Sequence, residues 1–178
     1  MKKIRWILFA VLLGSSFALY AANPRSREYL TEAEIARVQA EQKIKPRVAF
    51  YLQAALSRLK SAESRLRREA IEPGDPLEYF TPEDMIEGYY QILNSVMTNL
   101  EDAHERGNRD RSSIPGALKE LKKRMQQCEL YLDSLETLAK EQENKALLQL
   151  IQKAGEATQG ALAGAEYALK EKTYDTGQ

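Results

Sequence analysis

The stretch LKELKKRMQQCELYLDSLETLAKEQENKALLQLIQKAGEATQGALAGAEYAL, residues 118–169, decides the fold. Leu118, Leu121, Met125, Cys128, Leu132 and Leu135 recur at alternating steps of three and four. The rhythm resumes at Leu147, Ile151, Ala154, Thr158, Ala161, Ala165 and Leu169. Such spacing keeps one apolar stripe on one side of a helix. No Gly or Pro interrupts Lys140 to Lys145, yet a continuous seam would need Gln142 and Gln149 inside. Asn144 suits the cap of a new helix. Length favours the break: at about 1.5 Å per residue it makes two rods of about 37–40 Å, matching two more upstream.

Working upstream, Ser113 and Pro115 open the helix that carries Leu118. Before it, Phe80-Thr81-Pro82-Glu83-Asp84-Met85 is a complete start signal, with Thr81 as N-cap, Pro82 in the first turn and acids near the positive helix end. The seam that follows is Ile86, Tyr89, Leu93, Val96, Leu100 and Ala103, closed by Gly107-Asn108. The first long seam is Val48, Leu52, Ala55, Leu59, Ala62 and Leu66, running to about Ile71, and Glu72-Pro73-Gly74-Asp75-Pro76 breaks it. Thr31-x-x-Glu34 is a capping-box pattern for a short helix with Ile35 and Val38 on one face, ending near Lys45. Leu30-Thr31-x-x-Glu34 slightly resembles the Leu-Thr-x-x-Gln motif of CpxP-like periplasmic stress proteins, which are helical. Glu34 stands where that motif has Gln, there is no second copy, and the capping box accounts for the residues, so no family is assigned.

The expected fold is all-α: an antiparallel four-helix bundle of coiled-coil-like helices, preceded by a short N-terminal helix. Its expected divisions are a signal peptide at 1–22, a polar segment with the short helix at 23–45, the bundle at 46–172 and a disordered tail at 173–178. The four helices are expected at about 46–71, 82–106, 115–142 and 145–172. The first is rich in Arg and Lys and the second in Glu and Asp, so the two suit adjacent places.

Charge cancels over the 178 residues, 26 basic against 26 acidic. Without Lys2, Lys3 and Arg5 the remainder holds 23 basic residues, a net of −3, which gives no reason to expect nucleic acid. Those three residues precede the uncharged run Trp6 to Ala22, the pattern of a bacterial-type secretory signal, with Ser16-Phe17-Ala18 offering a cleavage site and Ala21 and Ala22 later ones. The expected location is therefore the periplasm or the medium. A membrane enters only if this segment stays uncleaved as an anchor.

Chemistry-bearing residues are sparse. Glu101-x-x-His104 puts a carboxylate and an imidazole on one helix face, the spacing used in di-iron bundles. His104 is the chain's one His, so a second such pair is missing, and its place near a helix C-terminus suits a cation. Haem attachment through Cys-x-x-Cys-His is absent, and His/Met ligation would have to use His104 with Met97 or Met125. Cys128, the one cysteine, falls on the seam as a buried thiol or, alternatively, as an intermolecular disulfide.

Small residues crowd the last helix, with Gly155, Gly160 and Gly164 among them. Gly inside a helix costs about 1 kcal/mol relative to Ala, so close packing against a neighbouring helix is expected to offset it. The alternative is a dimer or partner surface at Gly160 and Gly164, with Tyr90 at the margin. Together these features describe an exported, non-enzymatic helical bundle, a structural or protein-binding component of the cell envelope or extracellular space, without a cofactor. Its partner is another protein or itself. The alternative is a metal- or haem-binding bundle using Glu101 and His104.

Overall fold

In the computed structural model the described residues are 29–105 and 111–171, and among them the structure is all-helical. The signal segment, the residues up to Glu28, the Gly107-Asn108 stop and the tail at 173–178 lie outside them. The helices are α1 (Glu32–Ala40), α2 (Ile44–Leu66), α3 (Pro82–Glu105), α4 (Ile114–Glu141) and α5 (Lys145–Glu171), with one 3-10 turn at Arg111–Ser113. No helix among the described residues is long and apolar enough to cross a membrane.

Local chemistry sets each boundary. At the start of α1 the Glu34 carboxylate accepts the Thr31 backbone N–H at 2.8 Å, and the Glu34 N–H donates to Thr31 Oγ1 at 3.3 Å. This helix stops at Ala40 rather than near Lys45, because α2 already begins at Ile44. Pro46 falls in the first turn of α2, where a backbone N–H has no partner to lose. The end of α2 comes at Leu66, earlier than Ile71: Arg68 adopts φ 57°, its N–H donates to the Arg65 carbonyl, and the Glu69 N–H donates to Ser64 at 2.9 Å. This pair of bonds is a Schellman motif, which satisfies the last carbonyls and turns the chain.

The seam at 118–169 forms two helices, and a second Schellman motif divides them. Glu143 stands at φ 53° and the Asn144 N–H donates to the Ala139 carbonyl at 3.0 Å. Asn144 then caps α5, its Oδ1 accepting the Leu147 N–H at 3.1 Å, while its Nδ2 donates to Glu83 at 2.9 Å. Gln142 donates to the Leu66 carbonyl at 3.0 Å. The turn is thereby fixed against the end of α2 and the start of α3.

The long helices pack as a bundle. Helix α2 lies against α3 and α4, and α5 lies against α4 and α3. Within each hairpin the contacts run in opposite order: Arg58 sits by Gly88 while Arg65 reaches the Phe80 carbonyl, and Lys122 pairs with Glu166 at 2.8 Å while Leu132 shares a groove with Ile151. Between hairpins they run alike. Lys45 lies over Gly116 while Glu63 accepts from Ser134, and Asn144 meets Glu83 while Thr158 meets Tyr89.

The seam residues form one continuous core with Val48, Leu52, Leu59, Ile92, Leu93 and Val96 at its centre, while Leu169 is half-buried. Burying an aliphatic side chain contributes about 1.5–3 kcal/mol, so this interior outweighs any surface ion pair. Two polar groups are buried within it. Arg58 is 2% exposed, and Thr158 is fully covered.

Candidate functional site

The last turns of α3, the first turns of α4 and the last turns of α5 meet at one end of the bundle. There Met97, Leu100, Glu101 and His104 face Ile114, Leu118 and Leu121 across a cleft of about 220 Å³. Gly164, Ala165 and Ala168 of α5 form the remaining wall. The hollow follows from side-chain size: α5 presents hydrogen or methyl groups where α3 and α4 present branched or long side chains. The walls are apolar, and Glu101 and His104 stand exposed at the rim.

Three of the residues singled out in the sequence therefore share one place: Glu101, His104 and Gly164. Gly160 lies one turn earlier on α5 and is exposed. Tyr90 lies farther along the same side, half-buried, with the Lys153 ammonium 4.0 Å above its ring. Positions 153, 160 and 164 are spaced to fall on one helical stripe, so Tyr90 and the two glycines border a common surface of α3 and α5.

Among the described residues no three His, Cys, Asp or Glu side chains come together as a metal set. Met97 shares the cleft with His104, whereas Met125 lies in the core beside Tyr89. At about 220 Å³ the cleft is smaller than the ~300–1,000 Å³ of pockets that hold drug-sized ligands, and a haem is bulkier than those.

The glycines of α5 depart from the expected close packing inside the bundle. A Cβ added at Gly155, Gly160 or Gly164 would meet nothing within 4 Å. Gly160 and Gly164 are exposed and Gly155 is half-buried, and no neighbouring helix comes close enough to offset their low helix propensity. Gly88 differs: it is buried, and a Cβ there would lie 3.8 Å from the Arg58 side chain, in ordinary contact.

The core carries polar chemistry that periodicity alone did not reveal. The Thr158 hydroxyl donates to the Ala154 carbonyl at 2.7 Å, which leaves its oxygen to accept from the Tyr89 hydroxyl at 2.6 Å. Burial pushes the Tyr89 phenol well above its ordinary range. It also pushes the Cys128 thiol up to about 11. A thiol held protonated in an apolar interior is a packing group rather than a nucleophile.

Arg58 is one of the basic residues that enrich α2, and the structure buries it. Its terminal nitrogens donate to both oxygens of Glu34, at 3.2 and 2.6 Å, and to the Tyr29 carbonyl at 2.9 Å. Its position three residues after the seam residue Ala55 was the available signal. No protein family, curated protein or solved structure matches the chain.

Proposed function

We propose that the chain is an exported, non-enzymatic protein, a structural or protein-binding component of the cell envelope or extracellular space. Its scaffold, on this reading, is a four-helix bundle of two antiparallel hairpins set side by side. The opposed directions within the α2–α3 and α4–α5 hairpins support that description. The contact surface is the outer side of α5 with its α3 border, at Gly160, Gly164 and Tyr90.

One observation carries the proposal: Gly160 and Gly164 are exposed in the middle of a helix with open space before them. Gly in an exposed helix interior lowers stability without any gain inside the fold, and a helix from another molecule can approach closest where side chains are smallest. The neighbouring Tyr90, capped by Lys153, supplies the amphipathic aromatic contact that protein interfaces favour. Export rests on the basic residues and apolar run at the N-terminus.

A photo-crosslinking residue at position 160, introduced in the native cells, tests the surface. Crosslinks to one protein species or to a second copy from position 160, with none from Gln126 on exposed α4, are expected. Equal labelling from both positions overturns the assignment. Recovery of the chain from the cytoplasm with its N-terminus intact overturns export.

A further inference from the structure

We infer that the cleft between the ends of α3, α4 and α5 is a binding site for a small cationic amphiphile, an alkylammonium with a short apolar tail. The site adjoins the contact surface proposed above and shares Gly164 with it, while Gly160 and Tyr90 lie outside the lining.

The volume sets the tail. A dry apolar cavity of about 150 Å³ accommodates benzene, so about 220 Å³ suits a chain of about six carbons. The lining suits it too. Leu100, Ile114, Leu118, Leu121, Ala165 and Ala168 offer no polar side chain, and Met97 adds an adaptable, polarizable wall.

Charge sets the head group. Among the described residues that line the cleft, Glu101 is the one acidic side chain, His104 stands with it at the rim, and none is Lys or Arg. It stands on the last turns of α3, whose C-terminal carbonyls carry partial negative charge. Glu105, exposed one turn further on, adds to the same sign. A carboxylate-headed ligand of equal length would meet repulsion at the same rim. An ammonium would leave its tail among the apolar walls and its charge beside Glu101 in water.

The small residues of α5 acquire a purpose here. Gly164 and Ala168 keep the wall low, and the space in front of Gly164 is open enough for a larger side chain to enter without disturbing the helix. A residue there can close the cleft and leave the fold intact.

The test is a titration of the full chain, labelled with 13C-methyl methionine, with n-hexylammonium, n-hexanoate and n-hexanol. Met97 lines the cleft, Met85 and Met125 are buried away from it, and Met1 lies in the N-terminal segment, so the signals report separate places. Saturable movement of the Met97 signal by hexylammonium is expected, with hexanoate at least about fivefold weaker. Glu101→Gln, an exposed substitution that leaves the fold alone, should weaken the ammonium about threefold to fivefold and leave hexanol unchanged. Gly164→Leu should abolish the Met97 response to all three. The inference is overturned if hexanoate moves Met97 equally, if Gly164→Leu leaves the response intact, or if only Met1 responds. It is overturned equally if Met97 shifts with protein concentration alone, which would place a second copy in the cleft.

Discussion

Arg58 and Glu34 lock the N-terminal helix onto the bundle through two parallel hydrogen bonds, at 3.2 and 2.6 Å. The guanidinium is 2% exposed and the carboxylate 25%, so the pair is buried from one side and open to water from the other. The same carboxylate closes the capping box of α1 by accepting the Thr31 N–H. One side chain thus starts a helix and fastens it, and α1 has no fully buried residue of its own.

The asymmetry of burial predicts an asymmetry of substitution. Glu34→Ala strands a buried cation with the Tyr29 carbonyl as its remaining partner and should cost about 3 kcal/mol. Arg58→Met keeps an apolar stem in the same space and frees a carboxylate that water can reach, so it should cost less than about 1.5 kcal/mol. Urea unfolding of the two variants checks the order.

Acid should loosen this attachment. Burial alone would raise the Glu34 carboxyl, but the Arg58 guanidinium and the Thr31 N–H and hydroxyl outweigh it and hold the group below the usual carboxylate range. A lowered folded value means that the stabilisation is complete above the unfolded value, about 4.3, and is lost as pH falls through the folded one. Glu63, hydrogen-bonded by Ser134 and Arg67, is lowered too and acts in the same direction. Urea midpoints should fall between about pH 5 and pH 3, and Glu34→Gln should make that fall shallower.

The outward glycines predict gains rather than losses. Gly160→Ala and Gly164→Ala place a methyl group in open space, so each should raise stability by about 0.5–1 kcal/mol, or ~1–4 °C in melting temperature. Close packing against a neighbouring helix would give the opposite sign. Calorimetry of the single variants decides between them.

Cys128 is fully covered and its thiol is raised to about 11, so the native protein should react with thiol reagents far more slowly than a free cysteine at pH 8. Labelling should accelerate in urea as the core opens. Non-reducing electrophoresis should show no disulfide-linked dimer, since a buried thiol cannot meet a partner without unfolding.

Much of the architecture was legible because it depends on periodicity. The three-and-four spacing from Leu118 to Ala165 names the buried residues of α5 and most of those of α4, missing Ile114, Ala117 and Ala139. The turn between them was less legible. Glu143 adopts a left-handed conformation usually given to Gly, and the Schellman bonds with the Asn144 cap stabilise it without any glycine to mark the place. Arg68 conceals the end of α2 in the same way. At the candidate site, the spacing of Glu101 and His104 was enough to put both on one face. The apolar walls opposite them came from α4 and α5, and a spacing within α3 carries no information about those. Arg58 was hidden because a charged residue beside a seam looks solvated until its partner arrives from 24 positions away.

The two hairpins meet with like-directed helices side by side, which leaves α3 and α4, although consecutive, on opposite sides of the interior. Each hairpin alone is an open sandwich with one apolar flank bare. The flank of α2 is closed by α4 and the flank of α3 by α5, both supplied by the other half of the chain. Cooperativity therefore resides in the clasp between the halves. Residues 29–105 and 111–171 are two unfinished cores that complete each other.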